Sequence, residues 1–549
     1  MSKKFFGHPI GLSTLFATEL WERFSYYGMR ALLVLYLTAN LLNGGFGLSE
    51  VEALKIYGIF TGLVYLTPML GGILADKYWG HRFTVYTGAL IIAIGQFTLA
   101  ASSLTDPTNI ETRLFLLYTG LGTLILGNGL FKPNISTMVG ALYDSGDARR
   151  DGGFTIFYMG INAGAFFAPL IAGSLGETAG WHWGFFAAGI GMIISTLWLW
   201  SRHKTLGNIG LPKNLDSSSL TLPLKYSIQI VLYTIIGTLM VWAIIWAITN
   251  IDKSIVNITV VLSVLALFSY VIYTIVSNTR SRDEWSRIGV IFILAFFSLS
   301  FWIGFEQAGG TFNIFARDNT NRIVSVSLFD SIAGFLTICC LTIAFFNYNR
   351  FKTKYRPWLI STFIIIVSYI SIRFFFLNNK VVELPSSIFQ SINPLAIFII
   401  GPLFSYMWVW LDRNKLNPGI PYKFAIGLVF LSLGFWVMVW ANKIAGNGML
   451  ISPLWLLAVY MLHTLGELCL SPIGLSMITK LSPTKIVSVM MGVWFASSAI
   501  GNYLAAVIKS MISGYNIDVF TFIAIETLVI ALLAFAIAPK LTKMMKGVK

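Results

Sequence analysis

The chain has 549 residues, of which 56% are hydrophobic and only 11% are charged, and its mean hydropathy is +0.75. This composition excludes a soluble globular protein, because soluble domains carry about 25% charged residues. The net charge of +15 does not indicate a nucleic-acid partner either, since the basic residues fall in alternate loops between apolar stretches. We therefore predict an all-α polytopic membrane protein.

About sixteen apolar stretches are long enough to cross a bilayer, for which about 20 residues suffice. Fourteen is the alternative if one hairpin does not span. With the amino terminus inside, roughly 26 of the 38 basic residues lie on the cytoplasmic side, as the positive-inside rule expects. We predict an integral membrane protein with both termini in the cytoplasm.

The first predicted span, residues 12–40, carries a polar stripe. Its ionisable and tyrosine residues recur at helical spacing and fall within about 140° of arc. A charge near the bilayer centre costs roughly 2.5–3.5 kcal/mol on insertion scales, so charges in such a helix usually line a pathway. We expect the functional site on this face, which contains Glu19, Glu22, Arg23, Tyr26, Tyr27 and Arg30.

The middle of the chain indicates a connection between two halves. Residues 203–224 are polar and contain Pro, Gly and Ser, which is typical of a linker. The two spans that follow, 225–248 and 256–277, are apolar all round, and such helices are more often lipid-facing than part of a pore wall.

Ionisable residues are few in the remaining spans. Lys132 lies near the inner end of its span, so it either lifts its amine to the interface or belongs to the pathway. The short side chains of Glu306 and Glu467 have no such escape, and a pathway role is favoured for both. His463 shares a helix face with Glu467, but a single histidine is more often a packed helix residue than part of a proton relay.

The charges of these spans nearly balance, with one carboxylate in surplus. A glutamate between an arginine and an apolar wall is charged when paired and protonated when the pair opens. Opening of such pairs is what alternating access between two bundles would produce. The residues therefore suggest proton coupling. The carboxylates are those of Glu19, Glu22, Glu306 and Glu467, and the cations that can pair with them are Arg23, Arg30 and Lys132.

The first predicted helix contains Glu19-x-x-Glu22-Arg23-Phe24-x-Tyr26-Tyr27, and the fifth contains 157–164 (FYMGINAG). These two signatures resemble those of the proton-dependent oligopeptide transporter family, within the major facilitator superfamily. Residues 72–82 resemble the superfamily's loop between helices two and three. Three shorter stretches are also similar to family segments, and they cover 305–307, 389–394 and 466–475.

The resemblance implies a major facilitator fold of two six-helix bundles plus extra helices, and a role for each site residue. Glu19, Glu22, Arg23 and Glu306 would take part in proton coupling. Arg30 would pair with Glu306 at the outer gate. The gating residues implied are Arg30, Glu306, Lys132 and Glu467. The peptide-binding residues implied are Arg30, Lys132, Tyr27, Tyr65, Asn162, Asn393, Glu467 and Trp494.

The expected domains are an N-terminal bundle over 1–202, a linker with two extra transmembrane helices over 203–287 and a C-terminal bundle over 288–549. Here the chain departs from typical bacterial members of the family. The segment at about 324–383 contains two additional spans, 325–347 and 358–377, which we interpret as an inserted helical hairpin on the C-terminal bundle.

With this resemblance, we predict a proton-coupled symporter that imports di- and tripeptides across the bacterial cytoplasmic (inner) membrane by alternating access. The alternative is a family relative that carries another substrate, such as nitrate or a drug-like amphiphile. An enzyme is disfavoured because the five histidines are scattered singly. We expect neither a cofactor nor a metal. The expected partners are the lipid bilayer, a di- or tripeptide substrate and protons. We expect the protein to be a monomer.

Overall fold

The structure is a computed structural model that is almost entirely helical. It describes residues 4–144, 147, 149–211, 224–250, 253–325, 341, 381–483, 485–512, 514–515 and 517–545. Fourteen long helical units lie within these ranges. Eleven of the helices are long and apolar enough to cross a membrane. The architecture is the all-α polytopic fold that the sequence predicts.

The first half contains helices α1 to α8, and some of them join end to end. A π-helical turn over Ala75–Trp79 continues α3, and a second one over Pro169–Gly173 joins α6 to α7. The helices are α1 Gly11–Thr38, α2 Glu50–Leu66, α3 Pro68–Leu74, α4 His81–Leu104, α5 Ile110–Gly140, α6 Arg150–Ala168, α7 Ser174–Ala179 and α8 Trp181–Arg202.

The remaining helices are numbered α9 to α17. A single 3-10 turn over Glu306–Gly309 separates α11 from α12, and another over Ser386–Ser391 precedes α13. The helices are α9 Leu224–Asn250, α10 Lys253–Asn278, α11 Arg282–Phe305, α12 Thr311–Asn319, α13 Ile392–Arg413, α14 Ile420–Ala445, α15 Pro453–Leu481, α16 Val487–Met511 and α17 Val519–Met544.

Helix ends follow local signals in the sequence. Ser49 precedes α2 and Ser281 precedes α11, and each forms a capping box with the glutamate three residues later. In this arrangement the serine and glutamate side chains satisfy backbone N–H groups that have no partner within the helix.

The apolar side chains form two large clusters, one in each half of the chain. In the first half α1 packs against α6 and α8, and α4 packs against α5 and α8. In the second half α14 packs against α15 and α17, and α11 packs against α16. The halves meet through three main helix pairs, which are α2 with α16, α1 with α12 and α6 with α13.

Helix α9 lies on the outside of α4 and α5. The Tyr233 ring stacks on Trp79 with centroids 4.6 Å apart, and Trp242 contacts Phe115 edge-on at 5.7 Å. Many apolar side chains of α9 and α10 point away from the protein. This position suits the lipid-facing interpretation of these two spans.

Two short antiparallel sheets accompany the helices. Strand β1 Lys4–Phe5 pairs with β2 His8–Pro9, and β3 Ile323–Ser325 pairs with β4 Val381–Glu383. The second sheet brings together the two ends of the segment interpreted as an inserted hairpin. Its two predicted spans, 325–347 and 358–377, lie outside the described residues.

The helix ends define two faces of the protein. The Thr38 side carries the end of α1 and the start of α2, and it carries Arg317, which donates a hydrogen bond to Thr38 Oγ1 at 2.6 Å. The opposite side, which we call the Gly11 side, carries the start of α1. Helices α11 and α12 run in the same direction as α1, because Glu306 contacts Arg30 and Arg317 contacts Thr38, so α11 also starts on the Gly11 side. The Met544 carbonyl at the end of α17 accepts a hydrogen bond from Ser286 near the start of α11, so the last helix ends on this side too.

Candidate functional site

The polar stripe of α1 is buried inside the protein. The Arg23 guanidinium lies between two carboxylates, with Nε 3.1 Å from Glu19 Oε1 and in direct contact with Glu22. One oxygen of each carboxylate and one Arg23 nitrogen have no hydrogen-bond partner within the described part of the chain. The group therefore holds two carboxylates against one guanidinium and keeps spare hydrogen-bonding capacity.

Two turns further along α1, Arg30 connects the two halves of the chain. Its Nη2 lies 2.5 Å from Glu306 Oε2, and its Nε donates to the Tyr57 hydroxyl at 2.7 Å. Glu306 begins the 3-10 turn between α11 and α12, so the break in the helix places its carboxylate against α1. The Arg30 guanidinium also lies over the Tyr27 ring, 5.7 Å from its centroid.

Lys132 of α5 lies over an aromatic ring of α2. Its Nζ is 4.2 Å from the centroid of Tyr65, a distance at which the cation is attracted to the ring. Lys132 also interacts electrostatically with the carboxylates of Glu22, Glu19 and Glu306. Its amine therefore lies close enough to the α1 stripe to interact with the charges there.

The second half contributes a carboxylate with two polar neighbours. Asn393 Nδ2 donates to Glu467 Oε2 at 2.9 Å and to Thr464 Oγ1 at 3.0 Å. Asn162, from the first half, uses its side chain to hydrogen-bond the Tyr158 carbonyl of its own helix at 3.0 Å. Tyr158 in turn lies within electrostatic reach of Glu467, so the fifth-helix signature is near the Glu467 group.

Tyr27 is within electrostatic reach of charged groups from both halves. It interacts electrostatically with Arg30, Arg23, Glu306 and Glu467, which come from both halves of the chain. Among these four groups the two cations, Arg30 and Arg23, come from the first half and the two carboxylates, Glu306 and Glu467, come from the second. Trp494 is buried and packs edge-on against Phe424 with centroids 6.1 Å apart.

His463 lies apart from this group of charges. Its ring is 2% exposed and packs between Phe312 and Phe435, with centroids 5.6 and 5.0 Å away. This is the environment of a packed helix residue. Although it precedes Glu467 by one turn, its surroundings are aromatic.

A comparison with protein families decides the classification. The POT family model matches residues 82–356 and 365–537, most of the chain. The chain belongs to the POT family. It is 36% identical to the peptide transporter YePEPT of Yersinia enterocolitica over 94% of this chain and 90% of that protein. It is 30% identical to a di-/tripeptide transporter of Lactococcus lactis over 100% and 98%.

Solved structures of the family share the fold. A crystal structure of peptide transporter POT in complex with sulfate is 33% identical and superposes with a TM-score of 0.75, over 100% of this chain and 98% of that one. A mutant of peptide transporter POT in complex with alafosfalin gives the same TM-score and identity. The chain is thus an integral membrane transporter of the POT family with the major facilitator fold.

Several contacts of this POT family member close the Thr38 side between the halves. Asn313 of α12 donates to the Ala31 carbonyl of α1 at 2.8 Å, and Lys509 at the end of α16 pairs with Glu50 of α2. The Glu177 carboxylate of α7 accepts hydrogen bonds from the backbone N–H groups of Ser386 and Ser387, each at 2.8 Å. The halves are therefore joined by polar contacts on this side.

Sequence reasoning missed four residues with notable positions. Glu526 of α17 is a further carboxylate within a span, and its Oε1 accepts from Ser300 of α11 at 2.7 Å; its position in the predicted last span could have revealed it. Tyr57 and Thr464 carry no charge, and only their contacts in the structure show that they belong to the site. Glu177 lies near a helix end, where a carboxylate is unremarkable in the sequence.

Proposed function

We propose that this POT family member is a proton-coupled symporter that imports di- and tripeptides across the cytoplasmic membrane by alternating access. The observation that carries the proposal is that buried cations of the first half and a buried carboxylate of the second half are available for one substrate. Arg30 and Lys132 belong to the first half of the chain, and Glu467 with Asn393 belongs to the second. A short peptide carries a carboxylate at one end and an ammonium at the other, so it complements both sides at once.

In the proposed site Arg30 and Lys132 bind the peptide carboxylate, because a guanidinium and an ammonium both offer charged N–H donors to a carboxylate. Glu467, Asn393 and Asn162 bind the ammonium. Tyr27, Tyr65 and Trp494 contact the peptide's side chains, since aromatic surfaces provide contact area without demanding one hydrogen-bond pattern. The names of the relatives as peptide and di-/tripeptide transporters support this substrate class.

The group of Glu19, Glu22 and Arg23 is proposed to exchange the proton. One guanidinium cannot satisfy two carboxylates fully, and each carboxylate here has one oxygen without a partner among the described residues. Protonation of one carboxylate therefore changes how strongly Arg23 holds the other. The membrane potential contributes roughly 2.3 kcal/mol per charge per 100 mV to such a step.

The gates are proposed to be two ion pairs that form in turn. Arg30 with Glu306 closes the Thr38 side, which we assign to the outside of the cell, and Lys132 with Glu467 closes the opposite side. Proton binding at Glu306 weakens the first pair, because a neutral carboxyl attracts a guanidinium less strongly. Both chain termini then lie in the cytoplasm.

The proposed domain limits remain 1–202, 203–287 and 288–549, with the inserted hairpin at about 324–383. The two extra helices of the linker segment lie outside the transport path, which agrees with the position of α9 against α4 and α5.

We propose that the protein acts as a monomer, since each half of the site comes from the same chain.

The proton assignment is tested by Glu22→Gln in proteoliposomes. We expect loss of dipeptide accumulation driven by a proton gradient, while counterflow exchange of labelled dipeptide without a gradient persists, because the variant removes the titratable group and keeps the side chain's shape. Glu526→Gln is the matched control, since it also replaces a membrane-embedded carboxyl but retains the oxygen that Ser300 donates to. Intact accumulation by Glu22→Gln would show that the coupling assignment is wrong.

The substrate class is tested by competition against uptake of a labelled dipeptide. Di- and tripeptides are expected to compete, while tetrapeptides and nitrate do not, because the site offers opposite charges at a separation set by the protein. Competition by nitrate without competition by peptides would favour the alternative substrate.

A further inference from the structure

Asn393 binds two side chains of α15 through the same nitrogen. Nδ2 donates to Thr464 Oγ1 at 3.0 Å and to Glu467 Oε2 at 2.9 Å. A side-chain amide can turn so that its oxygen and nitrogen exchange places, and only its partners decide which orientation holds. The orientation of Asn393 therefore depends on what these two partners accept or donate.

The Thr464 hydroxyl can only accept from Asn393. Its single hydrogen is already donated to the Tyr460 carbonyl of the preceding turn, at 2.7 Å, and a hydroxyl has one hydrogen. Thr464 is also fully buried, so water does not offer its hydroxyl another partner. The arm of Asn393 that faces Thr464 must therefore be the NH2 group.

The second partner, Glu467, does not fix the amide in the same way. An ionised carboxylate only accepts, whereas a protonated carboxyl gains an O–H donor. If Glu467 takes up a proton, the carbonyl arm of Asn393 becomes the better match for it, because the carbonyl can accept from the new O–H group. Thr464 does not change its hydrogen-bonding character in this way.

We infer that Thr464 is a positioning residue that locks the Asn393 amide, so that Asn393 Oδ1 serves with Glu467 as an acceptor for the peptide ammonium. Both Nδ2 hydrogens are used on α15, and the planar amide directs its oxygen away from them. An ammonium has three N–H donors, so a second acceptor beside the carboxylate strengthens its binding. This inference rests on the proposed peptide transport.

The test compares Thr464→Val with Thr464→Ser in proteoliposomes. Valine keeps the shape of threonine in its buried site but removes the acceptor, whereas serine retains it. The inhibition constants of Ala-Ala and N-acetyl-Ala-Ala are measured against a labelled dipeptide. We expect Thr464→Val to weaken Ala-Ala about tenfold, as for a lost hydrogen bond to a charged group, and N-acetyl-Ala-Ala by less than about twofold. Thr464→Ser should match the wild type for both peptides.

A second comparison separates positioning from packing. In an Asn393→Leu background, Thr464→Val should not change the ratio of the two inhibition constants further, because the amide that it positions is absent. Equal weakening of both peptides by Thr464→Val, or a further change of the ratio in the Asn393→Leu background, would overturn the inference. If Thr464→Val does not reach the membrane, Thr464→Cys makes the same test, since a thiol is a weak acceptor.

Failure of the inference is distinguishable from failure of the proposed function. A wild-type protein that accumulates no dipeptide under a proton gradient overturns the function itself. A wild-type protein that accumulates dipeptide, with a Thr464→Val variant that keeps the wild-type preference for a free amine, overturns only the role of Thr464.

Discussion

Buried ionisable residues in this protein are held in small groups of complementary side chains. Arg30 shows the pattern most completely, since its guanidinium contacts the Glu306 carboxylate, the Tyr57 hydroxyl and the Tyr27 ring. The planar guanidinium suits such an arrangement because its N–H groups point in fixed directions. The orientation of the proposed gate residue therefore depends on a neutral hydroxyl as well as on its charged partner.

Tyr57→Phe tests this dependence. Loss of the hydroxyl leaves Arg30 Nε without its acceptor in a buried site, at a cost of about 1–3 kcal/mol. We expect gradient-driven dipeptide uptake to fall about tenfold, since each 1.4 kcal/mol corresponds to a factor of ten. Uptake in proteoliposomes and the melting temperature in detergent are measured together.

Tyr36→Phe is the matched control for this variant. Tyr36 is equally buried, and its hydroxyl hydrogen-bonds the neutral Ser102 hydroxyl at 3.1 Å. This variant should lower the melting temperature and leave uptake near the wild-type rate. Equal losses of uptake in both variants would mean that Tyr57 contributes only general stability.

At the scale of helices, close contact between α1 and α6 positions the α1 carboxylates. Gly164 of α6 lies directly against the α1 backbone, where an added Cβ would come within 2.2 Å of the Leu20 carbonyl and 2.8 Å of Arg23 Cβ. Small residues at such crossings allow the backbones of membrane helices to approach each other. The glycine of the fifth-helix signature thus has a steric reason to be there.

Gly164→Ala should separate the two helices. The new methyl group overlaps backbone atoms that cannot rotate away, so we expect a loss of about 1–3 kcal/mol in stability, the usual cost of overpacking. The melting temperature in detergent should fall, and uptake should fall with it because Glu22 and Arg23 move.

Gly289→Ala provides the control in α11. Its nearest neighbour would be the flexible end of Met544 at 3.6 Å, an ordinary contact. Alanine in an open helical position is neutral or slightly stabilising. If Gly289→Ala lowers the melting temperature as much as Gly164→Ala does, helical glycines matter here for a reason other than close packing.

At the scale of the whole molecule, the halves are joined along the Thr38 side. The contacts there are of several kinds, from the Arg30–Glu306 pair to the Glu177 carboxylate that accepts from two backbone N–H groups before α13. Helices α2 and α16 also touch closely, since an added Cβ at Gly62 would lie 3.4 Å from Tyr503 Cβ. Alternating access requires all of these contacts to separate together.

A disulfide between α2 and α16 tests that separation. The Cβ distance for Gly62→Cys with Tyr503→Cys is close to the 3.5–4.5 Å found in disulfides. With the native cysteines replaced by serine, oxidation should link the pair and abolish uptake, and reduction should restore it. Each single-cysteine variant should keep its uptake after oxidation. Full uptake by the linked protein would show that the Thr38 side does not open between these helices.

Much of the fold was predictable because the membrane constrains the sequence strongly. Backbone groups in the bilayer must be satisfied within helices, so long apolar stretches predict spans well. The prediction for α1 agrees with the helix within a few residues. The spans 325–347 and 358–377 stay predictions, since they lie outside the described residues.

The candidate site was predictable only in part. A charge in an apolar span stands out, so Glu22, Arg30 and Glu467 could be recognised from the sequence. Thr464 and Tyr57 could not, because neutral residues in a helix carry no such signal. Glu526 was visible as a charge in a span but was overlooked.

The sequence by itself determined the class of protein, the polar face of α1 and the kinds of side chain that the site requires, because each of these depends on local composition and helical period. The tertiary structure decided which groups meet. Arg30 and Glu306 are 276 positions apart in the chain, and Asn393 and Thr464 are 71 apart. Helical period relates residues within one turn or two, whereas pairing across such distances depends on how the helices pack.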